Sequence, residues 1–264
     1  MTFLKKLPFV FMMVGMWACA PVQKANERET YNKAGIENAG LFQPSGEFAQ
    51  VVSRIEPVAE AFCRDSGRPL NCDFEVITDA RDPENVNAFQ TLRKNGRPLI
   101  VFTQALIDTT QNDDELAFVL GHEMAHHLEG HLHRQYQSAR AGAILLGGIT
   151  AITGASANTV ESAQRIGAGI GARTYSKEFE LEADRLGALV AIRAGYNAVR
   201  GAAFFARLPD PGDQFLGSHP PNEARIAMVR RVSLGYRLPC FFKENGLVIA
   251  QRRDQRIMRF VAPI

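Results

Sequence analysis

The densest chemistry in the chain lies in five consecutive residues, His122-Glu123-Met124-Ala125-His126. On a helix, four residues turn through ~400°, so His122 and His126 share one face about one turn apart. Two imidazoles so placed can reach one metal ion. Glu123 lies beside that face, where a carboxylate can approach the attacking water without ligating the ion, as a general base must. Zinc lowers the pKa of a water it binds to about 7, so a carboxylate is basic enough to take the proton.

A catalytic zinc needs three protein ligands and an open position. The same helix does not supply the third in the register H-E-x-x-H-x-x-G-x-x-H, because Glu129 and Leu132 stand where Gly and His are required. His127, His131 and His133 are off-register on a continuous helix and read as solvated or locally bonded. A second strongly helical stretch, 177–194, offers Glu180 and Asp184 on one face. Glu178 and Glu182 are rival carboxylates, but Glu182 lies ~200° around the helix from Glu180, and Glu178 is likewise two residues away. Gly121 and Ala125 are small and would let this second helix approach the first closely.

The remaining elements follow from periodicity and breakers. Residues 45–64 have helical spacing interrupted at Pro57. Residues 74–78 alternate as a strand, and 86–89 and 98–102 form two further strands joined through Lys94-Asn95-Gly96-Arg97. Asn112 with Glu115 three residues on is a helix start of the capping-box kind. That helix is expected to run through the histidines to about Arg140. Residues 141–172, rich in Ala and Gly and broken by Gly147-Gly148, read as a helical hairpin packed on the domain. Gly195 stops the 177–194 helix, and 198–207 and 222–232 are helical. The expected fold class is α+β, mostly helical, with a small β-sheet beside the two metal-binding helices.

The segment Tyr175-Ser176-Lys177-Glu178-Phe179-Glu180-Leu181-Glu182-Ala183-Asp184 resembles the E-x-x-A-D-like segment of the HtpX-like and prenyl-protease-type zinc peptidases, a gluzincin family. Asn87-Ala88-Phe89 resembles that family's edge strand, Gly121 to His126 its G-H-E-x-x-H helix, and Ser218-His219-Pro220-Pro221 with Arg225-Ile226 its S-H-P-x-x-x-x-R-I segment. The order and spacing agree over about residues 45–235. The resemblance implies one zinc ion per chain, held by His122, His126 and Glu180. It makes Glu123 the general base and later the proton donor to the leaving amine. Asp184 would accept a hydrogen bond from a zinc histidine, His122 in the first instance. His219 would lie near the metal, stabilising the oxyanion or covering the ion at rest. Arg225 would bind substrate backbone or an acidic neighbour. Asn87 and Ala88 would present an edge strand to extended substrate.

The two ends set the expected compartment. Lys5 and Lys6 precede an apolar run from Leu7 to Trp17 that is shorter than the ~20 residues a spanning helix needs, which reads as a secretory signal over 1–18. Met16-Trp17-Ala18-Cys19 resembles a bacterial lipobox. Cys19 would then be the lipidated first residue of a tether over 19–44, with acyl chains as the membrane attachment. The residue after it, Ala20, is not Asp, which points to an outer-membrane lipoprotein facing the periplasm; a plainly cleaved, soluble periplasmic form is the alternative. Removing 1–18 takes two of 30 basic residues and none of 28 acidic ones, leaving 28 of each. That balance lacks the basic footprint of nucleic-acid binding. In an oxidising compartment Cys63 and Cys72, flanking a turn with Gly67 and Pro69, are expected to form a disulfide, leaving Cys240 unpaired. The catalytic domain is placed at 45–235, and 236–264 is a C-terminal extension without an assigned role. The resemblance to the periplasmic lipoprotein branch implies protein quality control. The chain would hydrolyse internal peptide bonds of unfolded or misassembled envelope proteins, or else act as a chaperone-like assembly factor whose zinc site is mostly closed.

Overall fold

The segments 75–79 and 98–103 are buried along their whole length, the first including Glu75, Thr78 and Asp79, and pair with each other as parallel strands. The computed structural model describes residues 40–174, 176–209 and 220–237, with the backbone of two short strands at 243–244 and 247–248. Cys19, His219 and Cys240 lie outside these residues, as does all of the expected signal. The sheet contains β1 (Leu41–Phe42), β2 (Glu75–Asp79), β3 (Ala88–Leu92) and β4 (Pro98–Thr103), in the order β1-β2-β4-β3. The central pair β2 and β4 is parallel, with Val76 opposite Ile100; both outer pairs are antiparallel, with Phe89 opposite Val101. β3 is therefore an edge strand. At the other edge Leu41 pairs with Asp79, so the sheet reaches into residues read above as tether.

Helix α1 (Gly46–Asp65) buries Phe48, Val51, Val52, Ile55, Ala59 and Cys63, a single stripe at helical spacing that packs into the main core with Phe74, Ile100 and Phe102. Pro57 does not interrupt it. The proline and Ser53, whose carbonyl loses its usual N–H partner, are both on the solvent side. Cys63 and Cys72 are joined by a disulfide with Cα atoms 5.6 Å apart. It ties the end of α1 to the segment entering β2. A short helix, α2 (Gln104–Thr109), follows β4.

Helix α3 (Asp113–Leu128) begins where Asn112 accepts a hydrogen bond from the Glu115 N–H. Glu115 does not complete a capping box. Its carboxylate accepts from the Gln111 N–H at 2.9 Å and from both terminal nitrogens of Arg207, at 2.7 and 2.6 Å. Burial pushes the Glu115 carboxyl up, but these donors outweigh it and leave its pKa below the usual value. A depressed folded pKa stabilises the fold above the unfolded value, near 4.3, and that contribution disappears as pH falls through the folded value. Replacing Glu115 with Gln is expected to cost ~1.5–3 kcal/mol at pH 7. Urea unfolding at pH 7 and pH 3 checks this, because the gap between wild type and variant should narrow at the lower pH.

One continuous helix to Arg140 was the expectation; the chain instead breaks after Leu128. Gly130 has φ +70°, a left-handed conformation that glycine adopts at little cost. A new helix, α4 (His131–Ile152), starts in a new direction and pairs with α5 (Ala157–Thr174) as a hairpin. The hairpin helices touch through Gly142, Gly167 and Gly171, where a Cβ would collide with the opposing backbone. The hairpin packs chiefly on itself rather than on the domain. Only His131 and Gly147 of α4 are buried, and Ile144, Leu145, Ile149 and Ile152 are exposed. Among the described residues no helix is long and apolar enough to cross a membrane.

Helix α6 (Ser176–Arg193), ended by Gly195 at φ +92°, lies directly across α3. The contact is glycine against glycine. A Cβ on Gly121 would sit 2.9 Å from the Gly187 carbonyl oxygen, and one on Gly187 would sit 2.6 Å from the His122 nitrogen. The body is completed by α7 (Ala198–Ala202), a 3-10 turn at Ala203–Arg207, and α8 (Asn222–Arg237), which packs on α6 and α7. The expected mostly helical α+β architecture with one small sheet is what the chain adopts. Beyond α8, Lys243–Glu244 and Leu247–Val248 pair as a two-stranded ribbon within the C-terminal extension.

Candidate metal centre

The glycine crossing of α3 and α6 sets two helix faces close enough for short side chains to meet. His122 and His126 come from α3 and Glu180 from α6, and one donor atom of each lies within 4.8 Å of the others. The two Nε2 atoms are 3.0 Å apart, and each lies 3.5 or 3.6 Å from a Glu180 carboxylate oxygen. Zinc bonds of ~2.0–2.2 Å in a tetrahedron place donors ~3.3 Å apart, so one ion fits among these three. Two imidazole nitrogens facing each other beside a carboxylate are also the donor types that zinc favours. Burial disfavours charge on His122, yet its hydrogen bonds to Asp184 and Glu180 raise its pKa to about 9. Burial, with His122 next to it, drives His126 well below the usual value.

Each histidine turns its second nitrogen to a polar partner. His122 Nδ1 lies 2.9 Å from Asp184, one turn beyond Glu180 on α6 and fully buried. Asp184 accepts two more bonds from Arg225 of α8, at 2.8 and 2.7 Å. Burial pushes the Asp184 carboxyl up, but Arg225 and His122 together hold it below the usual range. Arg225 is 7% exposed, lies flat on Phe205 at 3.6 Å, and comes within 3.4 Å of Glu180. Of the two roles expected for Arg225, the contact with acidic neighbours is the one seen: its guanidinium pairs with Asp184 and approaches Glu180 within the core.

His126 Nδ1 meets Nδ1 of His131 at 2.9 Å, and His131 Nε2 meets Glu182 at 2.9 Å. Arg134 donates to the same carboxylate at 2.5 Å. The hydrogen bond from His131, then that from Arg134, keep Glu182 ionised, with a pKa lowered to about 2. His131 is buried, stacked on Phe179 at 4.6 Å. The contact of His131 with His126 does not emerge from the sequence reading, which continues the helix past Leu128, and Glu182 entered that reading only as a rival ligand. Five residues along a helix is ~500°, which turns His131 away from His126. The left-handed Gly130 resets the register and folds His131 back. Glu129-Gly130 is the signal that could have revealed it. The other two histidines behave as expected. His127 donates to the Asn71 carbonyl at 2.8 Å, and His133 pairs with Gln137 on the surface.

Glu123 is half-buried on α3, between the two ligating positions. Ala88 opens the edge strand β3. Asn87 precedes it, exchanging backbone and side-chain hydrogen bonds with Thr103 at 3.0 Å. β3 packs against α3, the helix that carries His122, Glu123 and His126. His219 falls outside the described residues.

Comparison with known proteins adds a lineage to this geometry. The profile of peptidase family M48 matches residues 46–233. The beta-barrel assembly-enhancing protease of Escherichia coli strain K12 is 30% identical over 169 residues, 56% of this chain and 32% of that protein. The protein of the same name from Yersinia pestis is 28% identical over 169 residues, again 56% of this chain and 32% of that protein. The chain thus spans about a third of the length of these curated relatives.

Proposed function

The chain belongs to peptidase family M48, and from that premise we propose that it is a zinc metalloendopeptidase of the bacterial cell envelope, with His122, His126 and Glu180 as ligands and Glu123 as general base. The observation that supports this reading is the approach of three donor groups, with the two histidine Nε2 atoms 3.0 Å apart and 3.5 and 3.6 Å from the two Glu180 carboxylate oxygens, and with Glu123 half-buried on the same helix between the two histidines. When bound, zinc would polarise the scissile carbonyl and acidify the attacking water. Glu123 takes the proton of that water as it attacks and returns it to the departing amine. Asp184 holds the His122 ring by its Nδ1–H, and Arg225 keeps Asp184 ionised. The outer strand β3, with Asn87 just before it and Ala88 at its start, pairs with an extended stretch of substrate by backbone hydrogen bonds. That mode requires an unfolded or locally frayed segment and reads side chains weakly, which suits clearance of unfolded or misassembled envelope proteins. His219 is proposed to stabilise the oxyanion or cover the ion at rest, and Cys19 to anchor the chain to the outer membrane by lipid. The likeness to assembly-enhancing proteases supports an envelope setting.

Metal analysis of the purified residues 36–264, beside a Glu180→Ala variant, tests the site. One zinc per chain is expected in the former and a small fraction of one in the latter at micromolar free zinc. Equal zinc in both would remove Glu180 from the ligand set, and with it the proposed chemistry.

A further inference from the structure

The two histidines of the centre are supported unequally. His122 rests on Asp184 and Arg225, both from the helices that frame the site. His126 is instead backed by a relay that begins on the hairpin. Binding a metal through Nε2 leaves a neutral imidazole with its proton on Nδ1. That proton points at His131 Nδ1, 2.9 Å away, which must therefore accept. His131 then carries its own proton on Nε2 and donates it to Glu182, 2.9 Å away, and Glu182 is in turn bound by Arg134. Every donor and acceptor in the row is satisfied in this single arrangement. Reversing any ring would set two donors or two acceptors face to face. His131 is held in place by stacking on Phe179, with ring planes 9° apart, and Arg134 lies on the same phenyl at 4.2 Å.

We propose that His131, Glu182 and Arg134 are positioning residues that fix the tautomer and ring orientation of His126, so that the base of the hairpin helps set the affinity of the metal centre. This rests on the ligand assignment made above. Two of the three residues, His131 and Arg134, stand on the first turn of α4, whereas Glu182 stands on α6 beside the third ligand. The relay thus joins the hairpin to the metal centre through one hydrogen-bonded row.

The test measures zinc affinity by chelator competition and the visible absorption of the cobalt(II) form, with His131→Phe, His131→Asn and His126→Ala. His131→Phe keeps a ring to stack on Phe179 but offers no acceptor. Its zinc affinity is expected to fall ~10–100-fold, the usual effect of removing a ligand's hydrogen-bond partner, with an altered cobalt spectrum. His131→Asn puts an amide oxygen near the position of Nδ1 and should recover most of the affinity and the wild-type spectrum, which a loss of packing alone would not predict. Wild-type affinity and spectrum in His131→Phe, while His126→Ala has lost the metal, would overturn the relay and leave the ligand set intact. Full zinc binding by His126→Ala would overturn both. Should His131→Phe not fold, Glu182→Ala carries the test, since that side chain is 35% exposed. A smaller fall in the same direction is expected there, and unchanged affinity would overturn the proposal.

Discussion

Replacing Glu123 with Gln will lower the rate of casein cleavage by ~10²–10⁴-fold, the range that a positioned general base contributes, and will leave zinc content unchanged. The two outcomes separate because the donor atoms that come together are those of His122, His126 and Glu180, and Glu123 is not among them. Glutamine has nearly the shape of glutamate, so the half-buried side chain keeps its packing. It cannot take a proton from water at neutral pH or return one to a leaving amine. Single-turnover cleavage of a fluorogenic casein, with zinc measured on the same samples, reads both. A variant that cleaves at the wild-type rate would dismiss Glu123 as the base. A variant that loses zinc as well would make Glu123 part of the ligand set, which the geometry does not support. Envelope phenotypes that survive in the Gln variant would favour the chaperone-like alternative, in which client binding rather than hydrolysis carries the function.

The parts of this protein legible in its sequence are those governed by local rules. His122 and His126 share a face because the helix period demands it. Glu180 and Asp184 share a face for the same reason, and Gly121 announced the close approach of another helix. Its counterpart Gly187 went unnoticed, although the crossing depends equally on both. The strands expected at 74–78 and 98–102 lie within a residue of those formed, the one expected at 86–89 runs instead over 88–92, and the strand order and the parallel pairing of β2 with β4 are tertiary facts that no local pattern encodes. The histidine relay was hidden by one residue. The left-handed Gly130 redirects the chain after it, so a reading that continued the helix past Gly130, and took His131 as solvated or locally bonded, could not set it beside His126. Arg225 shows the complementary difficulty. Its charge was legible, but whether it faced substrate or Asp184 depended on how deeply α8 packs against α6.

That depth makes Arg225 the site of the second large effect. Arg225→Met is expected to cost ~3–5 kcal/mol of stability, the usual consequence of removing one member of a buried ion pair. Methionine fills much of the same space above Phe205, so the cost arises mainly from Asp184, fully buried and left with the His122 ring beside it. The burial that pushes the Asp184 carboxyl upward would then act without the guanidinium that opposes it. Asp184 should become easier to protonate and a poorer acceptor for the His122 Nδ1–H, so zinc affinity should fall together with stability. Adding Asp184→Leu should restore part of the stability, because an apolar pair in place of a buried ion pair is often neutral or better. It should not restore zinc affinity, since His122 would still lack its acceptor. Thermal unfolding and chelator competition on wild type, the single variant and the double variant give both quantities. Recovery of stability without recovery of metal binding is the pattern expected of an arginine that serves the centre through Asp184. Recovery of both would assign Arg225 and Asp184 to the packing of α8 against α6 alone.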